Sequence, residues 1–230
     1  MYPIEQRQQQ AEDAARSGNA AELRDCLAHG AILNVVIYLL ALDHGDVATF
    51  QTILDFGGDA NYDMHYSGTP LILALKFNHQ ALFHYLLSLN VNPNQGSLGH
   101  WLPPLSVAVR LTKDIQWVQH LLEIGARIEG TGALHIAAFQ GNLPRMRLLL
   151  HHGADVNEIP FLRIYAMLNF YTTKGTPVHW AIAGGHLDAV QLLLQRDTDL
   201  AIRDEDGVTV QERLDDFFSQ PTTGANHTDT

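Results

Sequence analysis

The sequence predicts an all-helical protein built from about six to seven stacked copies of one helix-turn-helix unit. Three observations lead to this prediction. A motif recurs about every 33 residues, glycine separates the two halves of a copy, and the second half carries leucines at helical spacing. Corresponding positions of five successive copies, separated by 33, 34, 29 and 44 residues, are Tyr38, Leu71, Leu105, Leu134 and Val178. Because neither helix of a copy can bury its apolar face alone, the copies must stack.

The repeats predict one domain over residues 1–218, followed by a flexible tail at 219–230. The predicted copies cover residues 8–31, 35–61, 68–94, 102–128, 132–157 and 175–202, with a partial copy at 206–218. The first and last copies are the more polar ones, as expected for the caps of a stack. We expect one cooperative unit, in which limited proteolysis cuts only the ends and the insertion at 158–174.

The same types of residue mark the beginning and the end of the helices in each copy. Thr-Pro opens the first helix, as in "GTPLILAL" and "GTPVHWAI", because threonine caps a helix and proline is tolerated where the first-turn N–H has no partner. Gly141 or the pair Gly184-Gly185 supplies the reversal between the helices. Gly153 ends a second helix, where glycine adopts the left-handed conformation without steric cost.

Two segments carry the signature of a known family. Their motifs are Ala133-Leu134-His135-Ile136-Ala137-Ala138, Gly141-Asn142, Gly153-Ala154-Asp155-Val156-Asn157, Gly175-Thr176-Pro177-Val178-His179 and Gly184-Gly185-His186. On these residues the chain resembles the ankyrin-repeat proteins over residues 8 to 216, with degenerate first, second and fourth copies. The resemblance implies a curved solenoid of antiparallel helix pairs with projecting hairpins, and a protein-binding role.

Composition excludes several classes of partner. The net charge is -11 and only three lysines occur, whereas phosphate binding needs clustered cations, so neither nucleic acid nor a membrane surface is expected. The polar N-terminal stretch predicts no signal peptide, and we expect an intracellular, cytoplasmic protein, with the nucleus left open. The single cysteine, Cys26, fits a reducing compartment and is expected to be buried.

No motif predicts catalysis, a metal or a cofactor. The sequence contains no HExxH, Walker loop, dinucleotide fingerprint or Gly-x-Ser-x-Gly. The resemblance implies that His135 and His179 form hydrogen bonds to backbone and tie adjacent repeats, which makes their role structural. Asp204-Glu205-Asp206 lacks the calcium-loop spacing and is interpreted as a solvated hairpin.

The variable positions of the first helices, which face the concave side in this family, give the predicted binding set, which consists of Leu73, Lys76, Val107, Arg110, Ile136, Phe139 and Trp180. The position after the motif histidine is apolar in five copies: Leu40, Leu73, Val107, Ile136 and Trp180. Three residues further on stand Asp43, Lys76, Arg110, Phe139 and Ala183. Two interpretations stay open. The apolar set packs on neighbouring loops, or it forms a trough flanked by Lys76 and Arg110 that suits an apolar ligand or a helix carrying an acid.

The insertion "EIPFLRIYAMLNFYTTK" at 158–174 is the second departure from the pattern. It is too apolar for a disordered linker, and long loops of this kind are often functional. Its predicted binding residues are Phe161, Tyr165, Phe170 and Tyr171. We expect it to fold over the trough near Phe139 and Trp180, to offer aromatic anchors to a partner, or to cover its own neighbours.

These features favour a non-enzymatic interaction module that binds a protein through the trough and the insertion. An alternative is a small-molecule binder, or a cofactor-independent isomerase or cyclase that encloses an apolar substrate. Its proton-transfer candidates are His100, Arg110, Tyr165 and Asp43. A third hypothesis is an inhibitory or structural subunit of a larger complex. An open trough would favour a polypeptide partner, and a roofed pocket would favour a small ligand.

Overall fold

The computed structural model describes residues 4–96, 102–159 and 174–219. Regular structure in these ranges is helical, apart from an isolated antiparallel bridge between Arg203 and Thr209. The prediction of an all-helical stack of repeats is therefore confirmed. None of the described helices has the length and apolar character that a membrane crossing requires.

The chain divides into two compact units at Arg127 and Ile128, between the fourth and fifth predicted copies. The first unit holds α1 Ile4–Arg16, α2 Ala20–Ala28, α3 Val35–His44, α4 Val47–Asp55, α5 Pro70–Lys76, α6 Gln80–Ser88, α7 Pro104–Leu111 and α8 Gln116–Glu123. A 3₁₀ turn at His65–Ser67 precedes α5. First helices pack on first helices, in the order α1, α3, α5 and α7, and second helices pack on second helices, in the order α2, α4 and α6.

The second unit repeats this arrangement. It holds α9 Ala133–Phe139, α10 Leu143–His151, α11 Pro177–Ala183, α12 Leu187–Leu194 and α13 Val210–Ser219. Helix α9 packs on α11, α10 packs on α12, and α13 covers α11. Each of the six full predicted copies thus contains one helix pair. Folding as one cooperative domain stays a prediction.

Side-chain caps mark the start of several helices. Asn34 Oδ1 accepts the Ile37 N–H at 3.0 Å, and Asp46 Oδ2 accepts the Thr49 N–H at 2.7 Å. Thr69 precedes Pro70 and caps α5, and Thr176 precedes Pro177 and caps α11, as the Thr-Pro motif predicts. These oxygens satisfy backbone donors that have no partner within the helix.

The core of each unit contains two sets of residues, one from the first helices and one from the second helices. At least one alanine of each first helix is completely buried, and this small side chain lets neighbouring helices approach closely; examples are Ala41, Ala74, Ala108, Ala137 and Ala181. The second helices contribute at least one fully buried aliphatic residue each; examples are Ile53, Leu86, Leu121, Leu149 and Leu193. Cys26 is also buried, as predicted.

Asparagine side chains tie the loops of successive copies together. Asn94 accepts the Arg127 N–H at 2.6 Å and donates to the Gly125 carbonyl at 3.1 Å. Asn157 makes the same pair of bonds in the second unit, to the Asp199 N–H and the Asp197 carbonyl, both at 2.8 Å. One amide thus satisfies a donor and an acceptor of the next loop.

The turn between α9 and α10 needs a residue without a side chain. Gly141 has a φ of +62°, and a Cβ atom built there would lie 2.5 Å from the His186 ring. Gly153, at the end of α10, also has a positive φ of +87°, but a Cβ atom there would meet nothing within 4 Å. A side chain at Gly153 would therefore cost only backbone strain, whereas a side chain at Gly141 would cost backbone strain and a steric clash.

We predict that Gly141→Ala lowers the free energy of unfolding by about 2–3 kcal/mol, and Gly153→Ala by about 1 kcal/mol. Both variants strain the left-handed backbone, and only Gly141→Ala also collides with an imidazole. Urea unfolding gives both values. Adding His186→Ala to Gly141→Ala should recover most of the difference, and equal losses in the two single variants would contradict the steric argument.

Candidate functional site

A groove between α3 and α5 is the candidate site in the unit of residues 1–127. It encloses about 320 Å³ and is lined by Leu39, Leu40, Asp43, Tyr66, Ser67, Leu73, Lys76 and Phe77. Leu73 and Lys76 belong to the predicted binding set. Leu40 and Asp43 are the corresponding residues one copy earlier, so the groove coincides with one part of the predicted trough.

The packing of the two helices creates the groove. Helix α3 buries Ile37, Tyr38 and neighbouring residues in the core, which leaves Leu39, Leu40 and Asp43 on the accessible side. Helix α5 is only seven residues long, and residues 70–75 are all buried. Its C-terminal end therefore supplies the accessible residues Lys76 and Phe77, while Leu73 forms part of the apolar floor.

Tyr66 stands on the rim of the groove and is 71% exposed. It belongs to the 3₁₀ turn, which the Met64 N–H closes by donating to the Gly68 carbonyl at 3.0 Å. Asp63 Oδ1 also accepts the His65 N–H at 2.9 Å. A constrained turn therefore presents a large aromatic side chain beside leucines. Tyr66 is not among the predicted binding residues, because this turn lies outside the first-helix positions from which they were predicted.

Neighbouring helices give the groove one charge of each sign. Asp43 and Lys76 stand at corresponding positions, and both side chains are exposed. The Lys76 ammonium lies 5.2 Å from the centroid of the Phe77 ring, a distance at which the ring face attracts a cation. The His79 Nε2–H donates to the Asp43 carbonyl at 2.9 Å and fixes the end of α3.

The other predicted positions on first helices lie elsewhere. Val107, Ile136 and Trp180 are buried, and Arg110 and Phe139 are half-buried. The Trp180 ring stands edge-on to His135 at 5.6 Å and to Phe139 at 6.2 Å, between centroids. Burial at these positions supports the interpretation that the apolar set packs inward. Their role in binding stays a prediction.

The remaining candidates lie outside the described residues. They are the predicted anchors Phe161, Tyr165, Phe170 and Tyr171 and the proton-transfer candidate His100. Both ends of the insertion are described. The Glu158 carbonyl accepts a bond from His135 Nε2 at 2.8 Å, and Lys174 pairs with Glu205, with Nζ and Oε2 3.0 Å apart.

The motif histidines bond to backbone, as predicted. His135 is fully buried, and its bond to Glu158 ties the fifth copy to the following junction. His179 Nδ1 accepts the Thr176 N–H at 3.1 Å, which completes a capping box on α11. Burial lowers the pKa of His135 to about 4 and also lowers the pKa of His179. Both imidazoles are therefore neutral near pH 7, and neither lines the groove.

The acidic hairpin is less solvated than the sequence suggests. Asp204 is buried, and its carboxylate accepts the Val208 N–H at 3.0 Å and Arg213 Nε–H at 2.8 Å. Burial by itself would raise the pKa of Asp204, but these hydrogen bonds and the Arg213 charge outweigh burial and lower it. Among the described residues, no group of three or more histidine, cysteine or acidic side chains is arranged to hold a metal ion.

Comparison with known proteins identifies the repeats. The family model "Ankyrin repeats (3 copies)" matches residues 105–204. The yeast phosphate system positive regulatory protein PHO81 of Saccharomyces cerevisiae is 26% identical over 179 residues, which are 76% of this chain and 13% of that protein. The putative ankyrin repeat protein FPV014 of fowlpox virus is 29% identical over 133 residues, which are 55% of this chain and 30% of that protein.

A solved structure supports the fold. The human ASB11 ankyrin repeat domain aligns with a TM-score of 0.65 and 20% identity, over 88% of this chain and 90% of that domain. The chain spans less than a third of the two matched proteins, 13% of one and 30% of the other. The likeness therefore identifies the repeats and the fold, and it does not extend to the activities of those larger proteins.

We predict that acid destabilises the protein through its buried histidines. In the unfolded chain His135 has the ordinary histidine pKa of about 6.5, whereas in the folded chain its pKa is about 4. Between these two pH values the unfolded chain therefore binds a proton that the folded chain does not bind. The free energy of unfolding should therefore fall as the pH drops from about 6.5 to 4, by about 3 kcal/mol for this one residue. Urea unfolding across this pH range measures the loss.

The matched variants are His135→Gln and His29→Gln. His135→Gln should be less stable than the parent at pH 7.5 and should show a flatter pH profile, because its side chain does not titrate. His29→Gln removes an exposed imidazole and should leave the stability at pH 7.5 close to that of the parent. A parent profile that is flat between pH 6.5 and 4.5 would contradict a neutral buried His135.

Proposed function

The chain belongs to the ankyrin-repeat proteins, and we propose that it is a protein-interaction module whose groove between α3 and α5 binds a polypeptide segment. Ankyrin-repeat domains typically act as protein-protein interaction modules. The observation that carries the proposal is the position of exposed Tyr66 and Phe77 beside the leucine floor of the groove. Aromatic side chains in such settings dominate the binding energy of many interfaces.

The form of the groove favours a polypeptide over a small molecule. Pockets for small ligands bury most of the ligand surface. Here Tyr66 is 71% exposed and Phe77 is 36% exposed, so the rim is accessible from solvent. An open apolar channel with a charge of each sign suits a segment that enters and leaves the groove while one apolar side chain rests on Leu40 and Leu73. Arg110, Phe139 and the aromatic residues of 158–174 stay candidates for further contacts.

We predict that Leu40→Arg lowers partner affinity at least tenfold, or about 1.4 kcal/mol, because it puts a charge on the apolar floor. The protein should remain folded, since Leu40 is half-buried at the surface of α3. Leu89→Arg is the matched control, because Leu89 is 38% exposed at the end of α6 and does not line the groove. Trp180→Ala is unsuitable here, since losing a fully buried tryptophan costs about 3–5 kcal/mol of stability.

Photo-crosslinking identifies the class of occupant. A benzophenone amino acid replaces Tyr66 in one sample and Leu89 in a second, and both proteins are irradiated in lysate of the source cells. We expect a discrete polypeptide adduct from position 66 that disappears when Leu40→Arg is added and is weak from position 89. An adduct that persists with Leu40→Arg would contradict binding in the groove. A small molecule that is retained in native mass spectrometry would contradict a polypeptide as the occupant.

A further inference from the structure

A second cleft lies in the same unit, beside the start of α3. It encloses about 400 Å³ and is lined by Ile4, Glu5, Gln8, Gln9, Glu12, Ile32 and Asn34. Helix α1 supplies one wall, and the loop before α3 supplies the other. Ile4 is 72% exposed and Ile32 is 66% exposed, so two large aliphatic side chains face solvent at the cleft. Exposed apolar clusters of this kind mark interaction surfaces in soluble proteins.

Helix α3 connects the cleft to the groove. Asn34, its cap, lines the cleft, whereas Leu39, Leu40 and Asp43 line the groove. Between them Val36 is 40% exposed and lies four residues before Leu40, which places both on one face of the helix. The stretch from Asn34 to Asp43 measures about 14 Å at 1.5 Å per residue. A helical partner of about ten residues laid along α3 would therefore reach both cavities.

Acidic residues predominate around this surface. Glu5 and Glu12 line the cleft and Asp43 lines the groove, whereas Lys76 is the one cation among the described residues that line the two cavities. Arg7, on the same helix as the two glutamates, donates to the His29 carbonyl. With a net charge of -11 on the chain, the surrounding field attracts cations and repels anions.

From this juxtaposition we infer that the occupant of the groove is an amphipathic helix with a basic polar face, which extends along α3 into the cleft of Ile4 and Ile32. The inference rests on the proposed function and names its partner class. The apolar residues of the partner helix lie on Ile32, Val36 and Leu40 of this chain. In this mode a helix is bound by its apolar face. Lysine or arginine side chains beside that stripe pair with Glu5, Glu12 and Asp43.

Two synthetic helical peptides test the charge preference. They share one leucine stripe and carry lysine in one case and glutamate in the other at the remaining positions. Fluorescence anisotropy should show the lysine peptide binding the parent at least tenfold tighter at low salt. The difference should shrink at about 1 M salt, where the screening length is about 3 Å. Leu40→Arg should weaken the lysine peptide as well, because both cavities are needed.

A matched pair of charge variants localises the effect. The double variant Glu5→Lys and Glu12→Lys should weaken the lysine peptide at least fivefold. The control is Glu22→Lys with Asp25→Lys on the exposed side of α2, which changes the net charge equally outside the cleft. If both double variants weaken binding of the lysine peptide equally, the effect comes from net charge alone and the inference is overturned.

The outcomes separate this inference from the proposed function. If both peptides bind equally and Leu40→Arg removes both, the groove binds polypeptides and the basic partner is wrong. If neither peptide binds the parent, the inference is overturned, while crosslinking from position 66 still decides whether the groove binds a polypeptide. If the lysine peptide binds and is unaffected by Leu40→Arg, its site is not this surface and the inference is likewise overturned.

Discussion

The structure depends on one constraint: neither helix of a repeat can bury its apolar residues without a neighbouring repeat. Helix α5 illustrates this, because residues 70–75 are all buried in a helix of seven residues. Such a helix has no stability as an isolated element and forms only between α3 and α7. The buried alanines at Ala74 and Ala108 permit the close approach that this packing needs. Cohesion within a unit is thus a sum of interfaces between neighbours.

The same constraint determines where a partner can bind. Helices that bury nearly every side chain leave only their ends and the turns between copies for recognition. The groove follows this rule, because Lys76 and Phe77 come from the end of α5 and Tyr66 comes from the turn before it. Helix α3 is an exception, since Val36 and Leu40 retain exposure along its length. That departure from full burial makes α3 the centre of the proposed surface.

The sequence predicted the fold because the signals are local. The Thr-Pro caps and the turn glycines each act on residues close to them in the sequence, and the spacing of about 33 residues brings similar signals back in successive copies. The site was predictable only in part, because exposure depends on which neighbour covers a residue. Leu73, Trp180 and Leu40 occupy the same position of three copies, yet Trp180 is enclosed by His135 and Phe139 whereas Leu40 is half-exposed. Glu5 and Ile32 were missed because their proximity arises only when α1 packs on α3.

Buried polar groups hold the repeats in register, and their chemistry separates them from the binding surface. His135, His179 and Asp204 each satisfy backbone atoms of a junction or a turn, and burial or hydrogen bonding keeps each in one protonation state near pH 7. Groups of this kind cannot also bind a partner, because exposing them would break the hydrogen bonds that hold the loops in place. The groove instead uses Asp43 and Lys76, whose side chains are exposed. A repeat protein can thus vary its recognition residues freely while the hydrogen bonds that join its copies stay constant.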